Sequence, residues 1–395
     1  MKSSILVLDW SNLAFRSLFM TGGPTTKLTY DLKDEVDAYI GKMAQDIAAI
    51  LRTFNPDRLI IATDAKHPWR KDVYPEYKSN REEAKSKEIN WTNIYAALDN
   101  FQEHLRKKGM IFVEFPHAEA DDLMAEVKEI VFREPQFSNC NLTIVSTDAD
   151  IRQLIDFNPE TEQYCMVFKE IANPKTKKKT LFCNQGFYDW YTQKDDGMGI
   201  FNMVMHQDRD MLYNFLNTNK NIELEVTDPD SILLTKVFCG DDGDMVPAFC
   251  EWYGSTGKRV RVTKTRLDKI RESMNISKVS EVVPRQNELK EHLEKAINRT
   301  VDDFDVPERL QRQRVLVELD SSLFPRDIAL YKADIIHAIT SGKRIDFSNL
   351  KMSDLVVGSD FAAVLQKDRA KDADIFKGLK KVIDHYSTDH LEKLW

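Results

Sequence analysis

Cysteine is sparse in this chain of 395 residues: Cys140, Cys165, Cys183, Cys239 and Cys250 lie far apart, with no C-x-x-C pair. That spacing excludes a zinc ribbon and a disulfide framework, and it fits a reduced compartment. The eight histidines are scattered without metal-ligand spacing, and no nucleophile stands with a matching base, so covalent catalysis has no support. No apolar run approaches the length that spans a bilayer, and no basic-then-apolar leader opens the chain. A soluble, cytoplasmic protein without membrane contact is expected. Excess positive charge is missing too: the formal net charge is -8. Generic polyanion binding is disfavoured, but acids gathered at a metal centre would be neutralised locally, so the distribution of charge must decide.

What is present is a repeated delivery of acids. Ile5-Leu6-Val7-Leu8, Leu59-Ile60-Ile61-Ala62 and Leu142-Thr143-Ile144-Val145 are short, branched apolar runs separated by helix-length segments, the pattern of buried parallel strands. They lead into Asp9, Asp64 and Asp148. In an open parallel sheet the ligand crevice lies beyond the carboxyl ends of the strands, so these acids converge although distant in sequence. Converging carboxylates repel, and a divalent cation held by oxygen ligands is the natural compensation.

Helical spacing from Asp34 to Phe54 and from Ile94 to Leu105 places crossover helices between the strands. The fold class expected is α/β, a mainly parallel sheet flanked by helices. After Asp150 the runs Gln163–Phe168 and Thr180–Cys183 predict a hairpin whose turn is crowded by Lys175, Lys177, Lys178 and Lys179. Residues 184–227 are polar with aromatics and no period, an insertion of unassigned role. Beyond Asp230 helical patterns dominate. Two domains follow, with 42% hydrophobic content enough for both: an α/β unit at 1–235 and a mostly helical unit at 236–395.

Each acidic motif has an ordinary reading beside the functional one. Asp148-Ala-Asp150 follows a strand, where residues two apart share a side; a helix start with acids near its positive end explains it equally well. Glu119, Asp121 and Asp122 precede an apolar helix, and capping accounts for one acid rather than three. Gly240-Asp241-Asp242-Gly243-Asp244 alone reads as a solvated turn. Their recurrence after strands favours function. Between the second strand and the next helix lie Arg70, Lys71, Tyr77, Lys78 and Arg81, cationic and aromatic, suited to gripping a phosphodiester above an acidic cleft. A second basic set contains Lys258, Arg259, Arg261 and Lys264, suited to sequence-independent contacts with duplex phosphates or to a solvated helix face.

Taken in order, Leu8-Asp9-Trp-Ser-Asn12, Trp69 through Arg81, Glu119-Ala-Asp-Asp122, Ser146-Thr-Asp-Ala-Asp150 and Gly240-Asp-Asp-Gly-Asp244 resemble the motifs of the flap endonuclease and 5′-exonuclease superfamily. Within it, Tyr77-Lys78, Asn80-Arg81 and the stretch from Leu319 to Ile339 look most like the ribonuclease H branch of T-even bacteriophages. The resemblance implies a PIN-like domain, a helical arch at about 66–93, and two Mg²⁺ ions, with Mn²⁺ able to substitute. One ion would be lined by Asp9, Asp64, Asp121 or Asp122, and Asp148. Asp150, Asp241 and Asp244 would serve the other, with Glu119 in support. The family's logic is an activated water at one ion and a stabilised leaving oxygen at the other. Lys78 and Arg81 match positions that contact the scissile phosphate. DNA and RNA:DNA hybrids with 5′ ends or flaps are the implied substrates, in viral replication, for a monomer working beside a single-strand-binding protein and a sliding clamp. The closing Leu391–Trp395 reads as a clamp-docking peptide or an amphipathic helix end.

Three departures and alternatives stand beside this reading. The family's helix-hairpin-helix turn is displaced by Val246 to Trp252, and the basic set from Lys258 is expected to replace it. A D-x-D phosphohydrolase needs threonine where Arg152 stands. A non-catalytic nucleic-acid-binding protein with a degenerate core would not require so many retained acids.

Overall fold

The computed structural model describes residues 2–341 apart from 22–27, 82–87, 193–206, 254–258, 299 and 301–304, together with 347, 350 and 355. Four strands are laid down first: β1 (Ser3–Asp9), β2 (Arg58–Ala62), β3 (Ile111–Val113) and β4 (Cys140–Val145). They stand in the order β3-β2-β1-β4, all parallel. The chain walks from β1 to one edge and then returns to the other side of β1, which makes the β1/β4 boundary a topological switch point.

Strand β1 shows why a continuous apolar run is needed here. Ile5 and Val7 pack into one core and Leu6 and Leu8 into another, on opposite faces of the sheet. One core is built with α1 (Trp10–Thr21), α2 (Lys33–Phe54) and α3 (Trp91–Lys107); the other with α4 (Ala120–Arg133). Local signals fix these helices: the Asn90 side chain accepts from the Asn93 amide at the start of α3, and α2 ends on a left-handed Asn55.

Past β4, β5 (Asp156–Asn158) and β6 (Gln163–Lys169) pair antiparallel, while β6 runs parallel to β4. Strand β7 (Lys179–Cys183) reverses against β6, as the hairpin expectation required. The 184–227 insertion is more regular than its composition implies. It holds α5 (Gln185–Thr192) and α6 (Gln207–Thr218), and β8 (Ile222–Val226) extends the sheet parallel to β7. Phe187 and Trp190 are buried against Phe157 and Tyr164, so these two aromatics are core, while Tyr188 and Tyr213 are exposed.

A third core is built mostly from helices. Helix α7 (Pro229–Cys239), capped by the Asp228 side chain with proline in its first turn, supplies Leu234, Val237 and Phe238 to it. Helices α8 (Lys264–Met274), α9 (Gln286–Ile297) and α10 (Val306–Val317) complete it. Helix α11 (Lys332–Ser341) does not stay with that core: Ile335 and Ile339 join Phe324 and Ile328 in the core beneath α4. No helix of the described residues is long and apolar enough to cross a membrane.

Candidate active site

The carboxyl ends of the strands are level. Asp9 lies opposite Ala62, Ala62 opposite Val113, and Leu8 opposite Val145. Asp9 therefore sits at the rim, Asp64 two residues beyond β2, and Ser146 to Asp150 just beyond β4. Asp9 accepts from the Asn12 amide at 3.0 Å and from Ser146 Oγ at 2.8 Å. Asn12 Oδ1 in turn accepts from the Thr147 amide and hydroxyl, at 3.0 and 2.8 Å, which ties the loop after β4 to the start of α1. Asp64 accepts from the Ala120 amide at 2.8 Å and so meets the N-terminus of α4, where negative charge is favoured.

The acids fall into groups with different electrostatic standing. Burial, then Asp64, and less strongly Asp148, push the Asp9 carboxyl up to about 7 despite its hydrogen bonds. Burial likewise raises Asp121 well above the ordinary range, with Asp148, Asp9 and Asp64 adding to it against Lys78. Asp9 and Asp121 thus feel the charges of Asp64 and Asp148 as well as burial, with Lys78 the cation that opposes them at Asp121. Oxygen-only donors in that state suit a hard divalent cation. Among the described residues no three or more His, Cys, Asp or Glu side chains are drawn together as a ready-made metal cage, so the cluster is open.

Asp122 and Glu119 are of another kind. Asp122 is fully buried; it accepts from the Trp69 indole at 2.9 Å and caps α4 through the Glu119 amide at 3.0 Å. Arg70 Nη1 forms ion pairs with Glu119 at 2.8 Å and with Asp122 at 2.7 Å, the second without hydrogen-bond alignment. Glu119 also accepts from Tyr77 at 3.1 Å and from Lys78. Burial opposes its ionisation, but Lys78 and Arg70 overcome that and hold its carboxyl near 2. Arg70 and Tyr77, expected on a nucleic-acid face, are thus corrected to interior positions, 1% and 4% exposed. A buried guanidinium between two carboxylates has no surface left for phosphate. Lys71 is partly exposed.

Lys78 is buried between Glu119 and Asp244, 3.6 Å from the latter, while Arg81 is exposed and pairs with Asp244 at 2.7 Å. Lys78 takes a left-handed φ of 54°, which turns its side chain inward. The two cations expected to act together therefore occupy different depths. Asn80 donates to the Gly243 carbonyl at 3.3 Å, so this segment is fastened to the Gly240–Asp244 loop at several points.

Residues 4–185 match the family described as the 5′-3′ exonuclease, N-terminal resolvase-like domain. This part of the chain carries that domain. Similar solved structures include the D15 protein of bacteriophage T5 crystallised with metal ions, at 15% identity and a TM-score of 0.51, covering 85% of this chain and 99% of that one. The T5 5′-exonuclease with zinc bound is similar at 16% identity and a TM-score of 0.50, over 85% and 99% of the two chains. At such identity the likeness speaks for the fold alone. No curated protein matches the sequence.

In the frame of a 5′-3′ exonuclease domain, Asp148 and Asp150 separate: Asp148 faces the open cluster, and Asp150 faces Lys236 at 2.8 Å. Lys236 also contacts Asp241, whose carboxyl is lowered by that ammonium in spite of burial. Lys236 was not picked out from the sequence. Its position in the last turn of α7, five residues before Asp241, was the available signal. Asn12, Ser146 and Trp69 were also missed as positioning residues, because their roles depend on contacts more than 50 residues away. The strands β9 (Glu251–Tyr253) and β10 (Arg259–Arg261) form an antiparallel hairpin where the helix-hairpin-helix turn is displaced. Arg261 pairs with Asp242, Lys264 is exposed at the start of α8, and Arg266 lies over the Trp252 ring at 5.2 Å. Lys258 and the Arg259 side chain lie outside the described residues, as do Leu391–Trp395 and residues 82–87 of the expected arch.

Proposed function

We propose that the chain is a divalent-metal-dependent 5′ to 3′ nuclease, with Mg²⁺ as the working ion, acting on 5′ ends and flaps of DNA and on RNA:DNA hybrids. The observation that carries this reading is the under-compensated group Asp9, Asp64, Asp121 and Asp148 at the strand ends, with the Lys78 ammonium acting on Asp121 and Arg81 paired to Asp244. Those four side chains would hold one ion, and Asp150, Asp241 and Asp244 would serve a second. Bound there, divalent ions supply an activated water and neutralise charge on the phosphodiester. Arg81, exposed beside the acids, is the group that would touch the substrate phosphate and offset negative charge developing on it. Lys78 contributes positive potential from below while holding Glu119. Asn12 and Ser146 keep Asp9 aimed at the crevice, and Trp69 with Arg70 holds α4 so that Asp121 faces it.

The relatives' crystallisation with metal ions, one with zinc, supports the metal requirement. The RNA:DNA substrate and a replication role rest on the motif resemblance to T-even phage ribonuclease H. We assign duplex phosphate contacts to the β9–β10 hairpin and α8 through Arg261 and Lys264. The test is cleavage of 5′-labelled flap, nicked DNA and RNA:DNA duplexes with and without Mg²⁺, using wild type and D148N. Equal cleavage by D148N, or full activity in chelator, would remove the reading.

A further inference from the structure

Lys236 is a cation held between two acids of the candidate site, yet nothing in the chemistry proposed so far uses it. Its ammonium is close to carboxylates from two separate elements, Asp150 after β4 and Asp241 after α7, and its side chain is only 21% exposed. Burial raises the Asp150 carboxyl and Lys236 opposes it, while Asp148 and Asp241 add to the rise, so two acids in contact share this one ammonium with Asp148 nearby. Remove the lysine charge and Asp150 and Asp241 would confront each other uncompensated, with Asp148 adding its charge to Asp150. The two halves of the acid cluster therefore differ: the first feels the Lys78 ammonium, which is itself paired with Glu119, and the second holds an ammonium in direct contact with two of its acids. A surface ion pair needs only one acid and gains little, whereas an ammonium bridging two elements does the electrostatic work of a bound ion.

We propose that Lys236 is a built-in counter-ion for the second carboxylate group, occupying the place of a second divalent cation until that ion displaces it. This rests on the metal reading above and makes the two ion sites unequal. The first ion enters a site with no competitor; the second must break the Lys236 pairs with Asp150 and Asp241. The second carboxylate group stays compact in the absence of metal for the same reason.

The test is titration of the full-length protein with Mn²⁺, followed by calorimetry and by the electron paramagnetic resonance of free Mn²⁺, for wild type, K236M and K236R. Wild type and K236R are expected to bind one ion tightly and a second at least about tenfold more weakly, and K236M to gain about tenfold in affinity for the second ion. A second-ion affinity unchanged or weaker in K236M overturns the inference while leaving the first site standing. Absence of any Mn²⁺ binding in all three proteins overturns the metal reading with it. If K236M fails to fold, Nζ resonances of ¹⁵N-lysine-labelled wild type decide: the Lys236 signal must shift during the second Mg²⁺ equivalent, and a signal that stays fixed refutes displacement.

Discussion

Lys78 and Asp244 are joined twice: the Lys78 amide donates to the Asp244 carbonyl at 2.9 Å, and its ammonium lies 3.6 Å from the Asp244 carboxylate. Two segments 166 residues apart thereby share one backbone contact and one charge contact. Lys78 to Ala should remove both a counter-charge for Glu119 and the charge contact with Asp244, leaving the backbone bond in place. Single-turnover cleavage is expected to fall about 100-fold or more. Arg81 to Ala, at an exposed pair, should lower cleavage comparably while changing stability by less than about 1 kcal/mol. Thermal melts beside the kinetics separate the two cases.

Adjacent aspartates should respond in opposite ways. Asp121 to Asn relieves repulsion within the open cluster, so cleavage disappears while the melting temperature in chelator holds or rises. Asp122 to Asn strips a buried guanidinium of one partner and is expected to cost about 3 kcal/mol or more. Denaturant unfolding of both variants checks the contrast; equal destabilisation would contradict the division drawn between them.

The metal-free protein should lose stability as pH rises through the acidic range. The Asp9 carboxyl is raised from 3.8 to about 7 in the fold, so the folded state holds a proton that the unfolded chain has released. The stabilisation is fully present below 3.8 and is gone above 7, a contribution of at most about 4 kcal/mol. Unfolding in chelator at pH 5 and pH 8 should show this slope. Asp9 to Asn should flatten it, and added Mg²⁺ should offset it at the upper end.

Gly240 is the one position in the acidic loop where a side chain is sterically barred. Its φ is +71°, and a Cβ there would lie 2.5 Å from the Val246 carbonyl oxygen. Gly240 to Ala should therefore cost about 1–3 kcal/mol and displace Asp241. A crystal structure or amide spectra of the variant would show the Asp241–Val246 bridge lost; an undisturbed bridge would contradict the argument.

Charge reversal at Arg261 and Lys264 tests the hairpin. If each contacts a phosphate, the slope of log affinity against log salt should shrink by about 1 per residue, with no change in base preference. An unchanged slope places duplex binding elsewhere.

The strands and their acids were legible from sequence because burial on both faces leaves an uninterrupted apolar run, as in Ile5 to Leu8, followed by a polar rim. The helices from Lys33 and Trp91 were legible from period. Asp121 and Asp122 were not separable by that means: both belong to one helical turn, and only the partners Trp69 and Arg70, some 50 residues away, tell them apart. Arg70 looked like surface for the same reason, since a cation beside Lys71 carries no sign of the two carboxylates that enclose it. Strand β8 carries a strand signal in the alternation of Ile222–Val226, but its five residues lie in a polar segment without other periodicity.

The level alignment of Asp9 with Ala62 makes the site depend on counting. Side chains in β1 alternate between two cores, so inserting or deleting a single residue between Ser3 and Leu8 would slip the ladder by one, send Leu6 and Leu8 to the wrong face, and carry Asp9 off the rim. Substitutions in β1 can be absorbed by repacking; a frame change of one residue cannot.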